Sequence, residues 1–167
     1  MKIAMIGQKG IPVIHGGVER LVATVATEMD KTRFDVAVWA LVSGGEIADE
    51  LTAQGIEVRI LSMANCYAPG NILKLARLLA RHRPVIVHSH GYFAQTLGRA
   101  AAMMARVPVN IVHYHSTFHG LSPVNMAIDR FLNQFTQGII VISDGVKRSF
   151  EQAGYDLKNA CVIYNGV

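Results

Sequence analysis

Short apolar runs alternate along the chain with longer stretches in which apolar residues recur at helical spacing. Seven such runs predict strands: KIAMIG, DVAVWAL, EVRIL, VIVHSH, VNIVHYH, GIIVIS and CVIY. The stretches between them predict helices over residues 18–29, 44–55, 71–82, 93–106, 124–135 and 143–153, the last capped by Ser143. Apolar strands that alternate with helices form a parallel sheet covered on both faces. The pattern therefore predicts a doubly wound, Rossmann-like α/β fold of about seven strands.

Small and polar residues lie at the end of four predicted strands. The strand ends read GQKGIPVIHGG after the first, HSHG at the fourth, HYHSTFHG at the fifth and SDGVK after the sixth. The carboxyl ends of parallel strands meet at one edge of the sheet, and ligands bind there. The sequence therefore predicts a ligand site at this edge.

A glycine pair, Gly16 and Gly17, precedes the first predicted helix. It is not part of a dinucleotide fingerprint, because Gly7 and Gly10 are three apart and the second strand ends in WALVSGG, without an acidic residue for a ribose. A nicotinamide or flavin oxidoreductase is therefore disfavoured. Free amides at a helix N-terminus suit a phosphate, so the pair indicates phosphate binding. A tight turn without a ligand is the alternative.

Histidines are concentrated at the same edge, at positions 88, 90, 113, 115 and 119. Side chains alternate along a strand, so His88 shares a face with His90, and His113 shares one with His115. We expect His90 and His115 to reach the edge and to donate or accept hydrogen bonds from sugar hydroxyls or phosphates. No acidic or cysteine ligand is near these strand ends, so no metal site is predicted. Histidines buried in the core are the alternative.

Length and composition indicate one folded domain. The chain has 167 residues, of which 51% are hydrophobic, and its mean hydropathy is positive, which argues against disorder. No apolar run approaches the roughly 18 residues that a membrane span needs, and the start does not resemble a signal peptide. Cys66 and Cys161 form no Cys-x-x-Cys pair, as expected for reduced thiols of a cytoplasmic protein.

The net charge of +4 is unevenly distributed. No carboxylate occurs between Glu57 and Asp129, whereas that segment contains Arg59, Lys74, Arg77, Arg81, Arg83, Arg99 and Arg106. Where this segment meets solvent its potential should be positive, which favours a phosphate-bearing substrate, an acidic membrane surface or nucleic acid. The alternative is that much of the segment is buried, since charged residues avoid cores.

The stretch NILKLARLLARHRP predicts an amphipathic helix with a basic stripe. Its apolar face is expected to contain Ile72, Leu75, Ala76 and Leu79, and its basic stripe Lys74, Arg77 and Arg81, with Arg83 just beyond. Leu78, near the stripe, is expected to be exposed. Such a helix can dock on an anionic membrane surface. An ordinary solvated surface helix is the alternative.

Five stretches, in this order, carry a resemblance: MKIAMIGQKGIPVIHGGVERLV, VIVHSHG, IVHYHST, VISDGVKRSF and VIYNGV. Together they resemble the N-terminal, acceptor-binding domain of family 4 glycosyltransferases of the GT-B fold. The resemblance spans residues 1–167 and implies that the family's C-terminal domain, with the E-x7-E motif and the nucleotide site, is not in this chain. His113 departs from the threonine that the family often has, and Tyr164 from a common proline.

The resemblance also implies roles for particular residues. The family's glycine loop lies against the donor diphosphate and sugar, which assigns Gly16 and Gly17 to donor binding. His115 is implied to approach the transferred sugar as the catalytic residue. Substrate contacts are implied for His15, His90, Ser116 and Lys147. No metal ion and no cofactor is expected.

The implied activity is retaining transfer of a hexosyl group from a nucleotide sugar to a saccharide or lipid-linked acceptor, in glycan or polysaccharide biosynthesis. This chain would supply the acceptor side of the cleft and would be inactive alone. The expected location is cytoplasmic, with possible peripheral binding at the inner face of the cell membrane, and no nucleic-acid partner is expected. Two alternatives stay open: a non-catalytic module that binds a phosphorylated ligand, and a sugar-nucleotide epimerase of the GT-B fold.

Overall fold

The computed structural model describes residues 1–7, 17–63, 68, 70–118 and 120–166. The strands are β1 (Lys2–Gly7), β2 (Asp35–Ala40), β3 (Glu57–Ile60), β4 (Ile86–His90), β5 (Val109–Tyr114), β6 (Gly138–Val141) and β7 (Cys161–Val162). The helices are α1 (Gly17–Glu28), α2 (Glu46–Ala53), α3 (Gly70–His82), α4 (Tyr92–Met104), α5 (Pro123–Asn133) and α6 (Asp144–Gln152). Each predicted element is present, with bounds that differ by three residues at most.

The seven strands form one parallel sheet in the order β3-β2-β1-β4-β5-β6-β7. The predicted doubly wound, Rossmann-like fold is confirmed. The chain first builds the sheet outward from β1 to β3 and then returns to add β4 beside β1. Ligands in such sheets bind beyond the carboxyl ends of the strands where the order reverses, which here is between β1 and β4.

Alternating residues of the central strands pack against different helices. Ile3 and Met5 of β1 belong to a core that includes residues of α1 and α2. Ala4 and Ile6 belong to the core on the other face, which includes residues of α3 and α4. Both faces of the sheet are therefore covered, as the continuous apolar runs predict.

Local signals explain where several elements begin and end. Gly55, with φ of +77°, follows α2 in a conformation that glycine adopts at little cost. The Ser143 side chain accepts a hydrogen bond from the Val146 amide at 3.2 Å, so it caps α6 as predicted. Pro84 follows α3 and prevents its continuation.

Helix α3 packs its predicted apolar face on the sheet and on α4. Leu75 and Leu79 are fully buried, whereas Arg77 and Arg81 are exposed. The prediction that Leu78 is exposed was wrong: Leu78 is half-buried and packs against the core. The exposed leucine of the helix is Leu73, at 45%. The amphipathic pattern was confirmed, but the apolar face extends further around the helix than predicted.

Two further expectations from the sequence concern the membrane and the cysteines. No helix among the described residues combines the length and the apolar character needed to cross a membrane. Cys161 is an exposed free thiol. Cys66 lies outside the described residues.

Candidate functional site

A cavity of about 350 Å³ lies at the carboxyl-end edge of the sheet. Its walls come from the N-terminal turns of α1 and α4, the segment that follows β5, and α5 and α6. The polar side chains in its lining are Tyr92, Gln95, Tyr114, His115, Ser116, Thr117 and Asp129. The cavity therefore lies where β4 and β5 end, beside the point at which the strand order reverses.

The turn after β4 brings α4 to the cavity. Gly91 has φ of +80° and ψ of 151°, a backbone conformation essentially restricted to glycine, and α4 begins at the next residue. Gln95, in the first turn of α4, donates a hydrogen bond from Nε2 to the His113 carbonyl at 2.6 Å. This bond fixes the N-terminal turn of α4 to the end of β5.

Four histidine side chains of β4 and β5 form one cluster, which we call the histidine cluster: His88, His90, His113 and His115. In the sheet His90 is in register with His113, so the two pairs lie side by side on one face. Ring centroids are 4.1 Å apart for His88 and His90, 5.4 Å for His90 and His113, and 4.1 Å for His113 and His115. The predicted pairing of faces is confirmed, and strand order brings the two pairs into contact.

Burial keeps the cluster neutral at physiological pH. It lowers the pKa of His88 to about 3, and repulsion from His113 and His115 lowers it further. Burial also lowers the pKa of His113 to about 4, and the same effect, with repulsion from His113, lowers that of His115 to about 3. The pKa of His90 is well below its ordinary range for the same reasons.

His90 and His115 differ in their access to the cavity. His115 lines the cavity, whereas His90 is 1% exposed and lies behind it. His90 Nδ1 is 3.0 Å from His115 Nε2, so one ring donates a hydrogen bond to the other. The expectation that both side chains reach the edge therefore holds for His115 but was wrong for His90, whose ring is screened by its neighbours.

Gly17 is the first residue of α1, and Val18 beside it lines the cavity. Its φ is outside the left-handed region, and a Cβ built on it meets no described atom within 4 Å. Neither backbone conformation nor packing against the described residues therefore requires glycine at this position. Glycine at this position keeps a side chain out of the space beside the helix N-terminus, which holds no atom of the described residues within 4 Å of a built Cβ.

The other predicted site residues are placed differently. Ser116 is exposed and lines the cavity, next to His115. Lys147 is half-buried in the first turn of α6 and is not among the described residues that line the cavity. His15 and Gly16, predicted to contact substrate and donor, lie outside the described residues.

A second, larger cavity of about 530 Å³ involves other elements. It is lined by residues from the end of α5, the start of β6 and the segment after α6, among them Gln137 and Lys158. Gln137 immediately precedes β6, so this cavity lies at the amino-end edge of the sheet. None of the predicted site residues that the structure describes lines it, and ligand sites of such sheets lie at the other edge.

The sequence of this chain matches a known protein family. The profile of Glycosyltransferase Family 4 matches residues 15–167, nearly the whole chain. The chain belongs to glycosyltransferase family 4. None of the curated proteins matches this family 4 chain in sequence.

Solved structures share the fold of this family 4 chain. HepE from Anabaena, crystallised with UDP and glucose, superposes with a TM-score of 0.80 at 22% identity, and the match covers 100% of this chain and 45% of HepE. A glycosyltransferase from Rickettsia africae gives 0.78 at 20% identity, over 99% and 43% of the two chains. The lipopolysaccharide outer core galactosyltransferase WaaB gives 0.68 at 17% identity, over 100% and 46%. The chain thus spans less than half the length of these structures.

A buried ion pair behind the cavity was not foreseen from the sequence. Arg99 of α4 is fully buried and donates hydrogen bonds to the carboxylate of Asp129 and the side-chain oxygen of Asn133, both on α5. Tyr114 donates to Asp129 Oδ2 at 3.2 Å, and burial raises the pKa of its phenol. The available signal was the position of Arg99 in an alanine-rich stretch, directly before Ala100, Ala101 and Ala102.

Proposed function

We propose that the protein containing this family 4 chain is a retaining glycosyltransferase. It moves a sugar from a nucleotide-sugar donor to a saccharide or lipid-linked acceptor, and this chain supplies the acceptor side of the cleft. The observation that carries the proposal is the cavity beside the strand-order reversal, which His115, Ser116 and the N-terminus of α1 line together in a chain of this family. HepE, a structural neighbour, was crystallised with UDP and glucose, which supports a nucleotide-sugar donor.

The donor diphosphate is assigned to the N-terminus of α1. The first amides of a helix have no intrahelical acceptor, and the helix dipole favours negative charge there. Gly17 itself places no side chain at this end of α1, and a Cβ built there would meet no described atom within 4 Å. The helix N-terminus would stabilise the negative charge that develops on the departing diphosphate.

His115 is assigned as the residue that contacts the transferred sugar. With its pKa near 3, its imidazole is neutral at pH 7 and is a weak base, so it would orient hydroxyls by hydrogen bonding and would not remove a proton. His90 would position the His115 ring through the 3.0 Å contact between them. Ser116 would contact the acceptor at the exposed end of the cavity, and we keep Lys147 as a further candidate acceptor contact.

The transfer step forms a bond between the acceptor oxygen and the anomeric carbon, while the bond from that carbon to the phosphate oxygen breaks and its electron pair leaves with the diphosphate. The proton of the acceptor hydroxyl would pass to the departing diphosphate, since the neutral His115 imidazole is too weak a base to take it. The acidic residue among the described residues that line the cavity is Asp129, whose oxygens already accept hydrogen bonds from Arg99 and Tyr114. A covalent carboxylate intermediate is therefore not supported by the described residues. Positioning and charge stabilisation would supply the rate acceleration.

The stereochemistry of the product tests this proposal. The protein containing this chain is incubated with UDP, GDP and ADP sugars and a panel of saccharide and lipid-linked acceptors, and proton NMR gives the anomeric configuration of the new linkage. Retention of the donor configuration supports the proposal. Inversion overturns the mechanism, and free epimerised nucleotide sugar without transfer identifies the epimerase alternative, which the family match disfavours.

The isolated 167-residue chain is predicted to bind nucleotide sugars weakly. We infer that the base and ribose are held by residues that this chain does not supply, since the chain spans less than half of its structural neighbours. Calorimetry of this chain with UDP, GDP and ADP sugars should detect no binding in the micromolar range. A micromolar dissociation constant for any of them would refute this division of the donor site.

Helix α3 is the proposed membrane-docking element. Arg77 and Arg81 are exposed on one side of it, and Leu73 is exposed beside them. Cations near an anionic bilayer each contribute about 1 kcal/mol at low salt, and the contribution falls as salt screens it. A lipid-linked acceptor would be brought to the cleft by such docking.

Vesicle co-sedimentation tests this surface. The chain is expected to bind anionic vesicles at low salt, to release them at moderate salt, and to lose at least about tenfold in binding when Arg77 and Arg81 become glutamate. A matched double variant, Lys31→Glu with Lys158→Glu, changes the same charge elsewhere and should lose less. Equal binding to neutral vesicles, or equal losses in the two double variants, would contradict α3 docking.

A further inference from the structure

Several ring nitrogens of the histidine cluster are buried and have no hydrogen-bond partner among the described residues. His88 Nε2, His90 Nε2 and both ring nitrogens of His113 have no hydrogen-bond partner there. His90 is 1% exposed and His113 is 6% exposed. A buried polar atom without a partner destabilises the folded chain, and several such atoms occur here within one small volume. Such a concentration indicates that something absent from the protein chain satisfies these nitrogens.

We propose that His88, His90 and His113 bind a divalent transition-metal ion of the zinc class, which ties β4 to β5 beneath the cavity. The proposal departs from the sequence-based expectation of no metal, which rested on the lack of acidic and cysteine ligands. Three imidazoles are a sufficient ligand set for Zn²⁺ when the fourth position holds water. The proposal does not depend on the proposed glycosyl transfer.

The distances among the three ligands fit a metal site after small side-chain movements. One ring nitrogen from each of His88, His90 and His113 can be chosen so that all three lie within 4.8 Å of one another. Two ligands of a tetrahedral Zn²⁺ lie about 3.3 Å apart, given metal–nitrogen distances of about 2.0–2.1 Å. Each nitrogen pair would close by at most about 1.5 Å, which rotation of the imidazole rings supplies. The backbone need not move, because the register of β4 and β5 already places the residues together.

His115 completes the site as a hydrogen-bond partner of His90. When His90 Nδ1 donates to His115 Nε2 across their 3.0 Å separation, the lone pair of His90 is on Nε2, the nitrogen that has no other partner. Metal-bound histidines ordinarily donate their second ring nitrogen in this way. His115 also lines the cavity, so an ion can enter from the cavity past its ring.

The chemistry of the ligands restricts the kind of ion. Imidazole nitrogen binds Zn²⁺, Co²⁺, Ni²⁺ and Cu²⁺, whereas Mg²⁺ and Ca²⁺ require oxygen ligands.

The test is competition for Zn²⁺ against a chromophoric chelator, using the untagged 167-residue chain with Cys161→Ser to remove the exposed thiol. We expect one equivalent of Zn²⁺ per chain and no competition by Mg²⁺. His88→Gln and His113→Gln should each weaken binding at least about 100-fold, and His115→Gln about 10–100-fold. Co²⁺ should give the visible absorption bands of a four-coordinate site.

His82→Gln is the matched control, because it removes an imidazole that packs on Trp39, outside the cluster. It should bind Zn²⁺ as the parent does. Circular dichroism identifies variants that fail to fold. If the cluster variants do not fold, the proposal is still tested by melting temperature: Zn²⁺ should raise that of the parent chain and that of His82→Gln by similar amounts. No stoichiometric Zn²⁺ binding, or equal affinity in the parent, His88→Gln and His113→Gln, would overturn the proposal.

Discussion

Replacing Gly17 by valine in the protein that contains this chain is expected to lower kcat for glycosyl transfer by at least about 100-fold, the scale of losing preorganised stabilisation of a developing charge. A valine side chain would occupy the space in front of the first amides of α1, where we place the donor diphosphate. Folding should be unaffected, because a Cβ at this position meets no described atom within 4 Å. Initial rates at saturating donor and acceptor, with circular dichroism of each variant, measure both parts of the prediction.

Gly70→Val is the matched control for this variant. Gly70 is also the first residue of a helix, α3, and a Cβ built there likewise meets no described atom within 4 Å. It lies outside the lining of the cavity, so its replacement should leave kcat unchanged. Wild-type turnover in Gly17→Val would show that Gly17 is part of a turn that does not bind the donor. Equal losses in the two variants would show a general effect of valine at a helix start.

Asp129→Ala is expected to lower the free energy of unfolding by about 3–5 kcal/mol, because it leaves the buried Arg99 guanidinium without its charged partner. Arg99 is fully buried and Asp129 is 2% exposed, so the guanidinium that remains would be largely shielded from solvent. Tyr114 would lose a hydrogen bond in the same step. Urea unfolding followed by circular dichroism measures the change.

Asp156→Ala provides the comparison for a surface ion pair. Asp156 Oδ2 is 4.0 Å from Lys158 Nζ, and both side chains are largely exposed. Removing this carboxylate should cost less than about 1 kcal/mol, since solvent screens exposed pairs. A similar small loss in Asp129→Ala would mean that the Arg99 pair is not the structural element described above.

The fold could be predicted from the sequence because its signals are local. Apolar runs such as KIAMIG and GIIVIS fix the strands, and Gly55, Pro84 and Ser143 mark helix ends through backbone conformation, a missing amide and a capping hydroxyl. It was harder to predict which residues of a helix are buried, as Leu78 shows, because the width of a buried face depends on the neighbouring helix.

The candidate site could be predicted only in part. The sequence places His90 and His115 at strand ends, but the contact of the β4 histidine pair with the β5 pair depends on β4 and β5 being neighbours, which the order along the chain does not state. The burial of His90 behind His115 depends on the same packing. Arg99 and Asp129 are 30 residues apart, and charged residues on helices are ordinarily exposed, so their pairing had no local signal.

We infer that sugar transfer takes place at the cavity that His115 lines. Acceptor-dependent release of nucleoside diphosphate tests it most directly, measured for the protein containing this chain and for its His115→Ala and His82→Ala variants with UDP, GDP and ADP sugars. We predict release of nucleoside diphosphate with at least one donor, a loss of at least about 100-fold in kcat for His115→Ala, and little change for His82→Ala. No acceptor-dependent release with any donor, or full activity in His115→Ala, would contradict it.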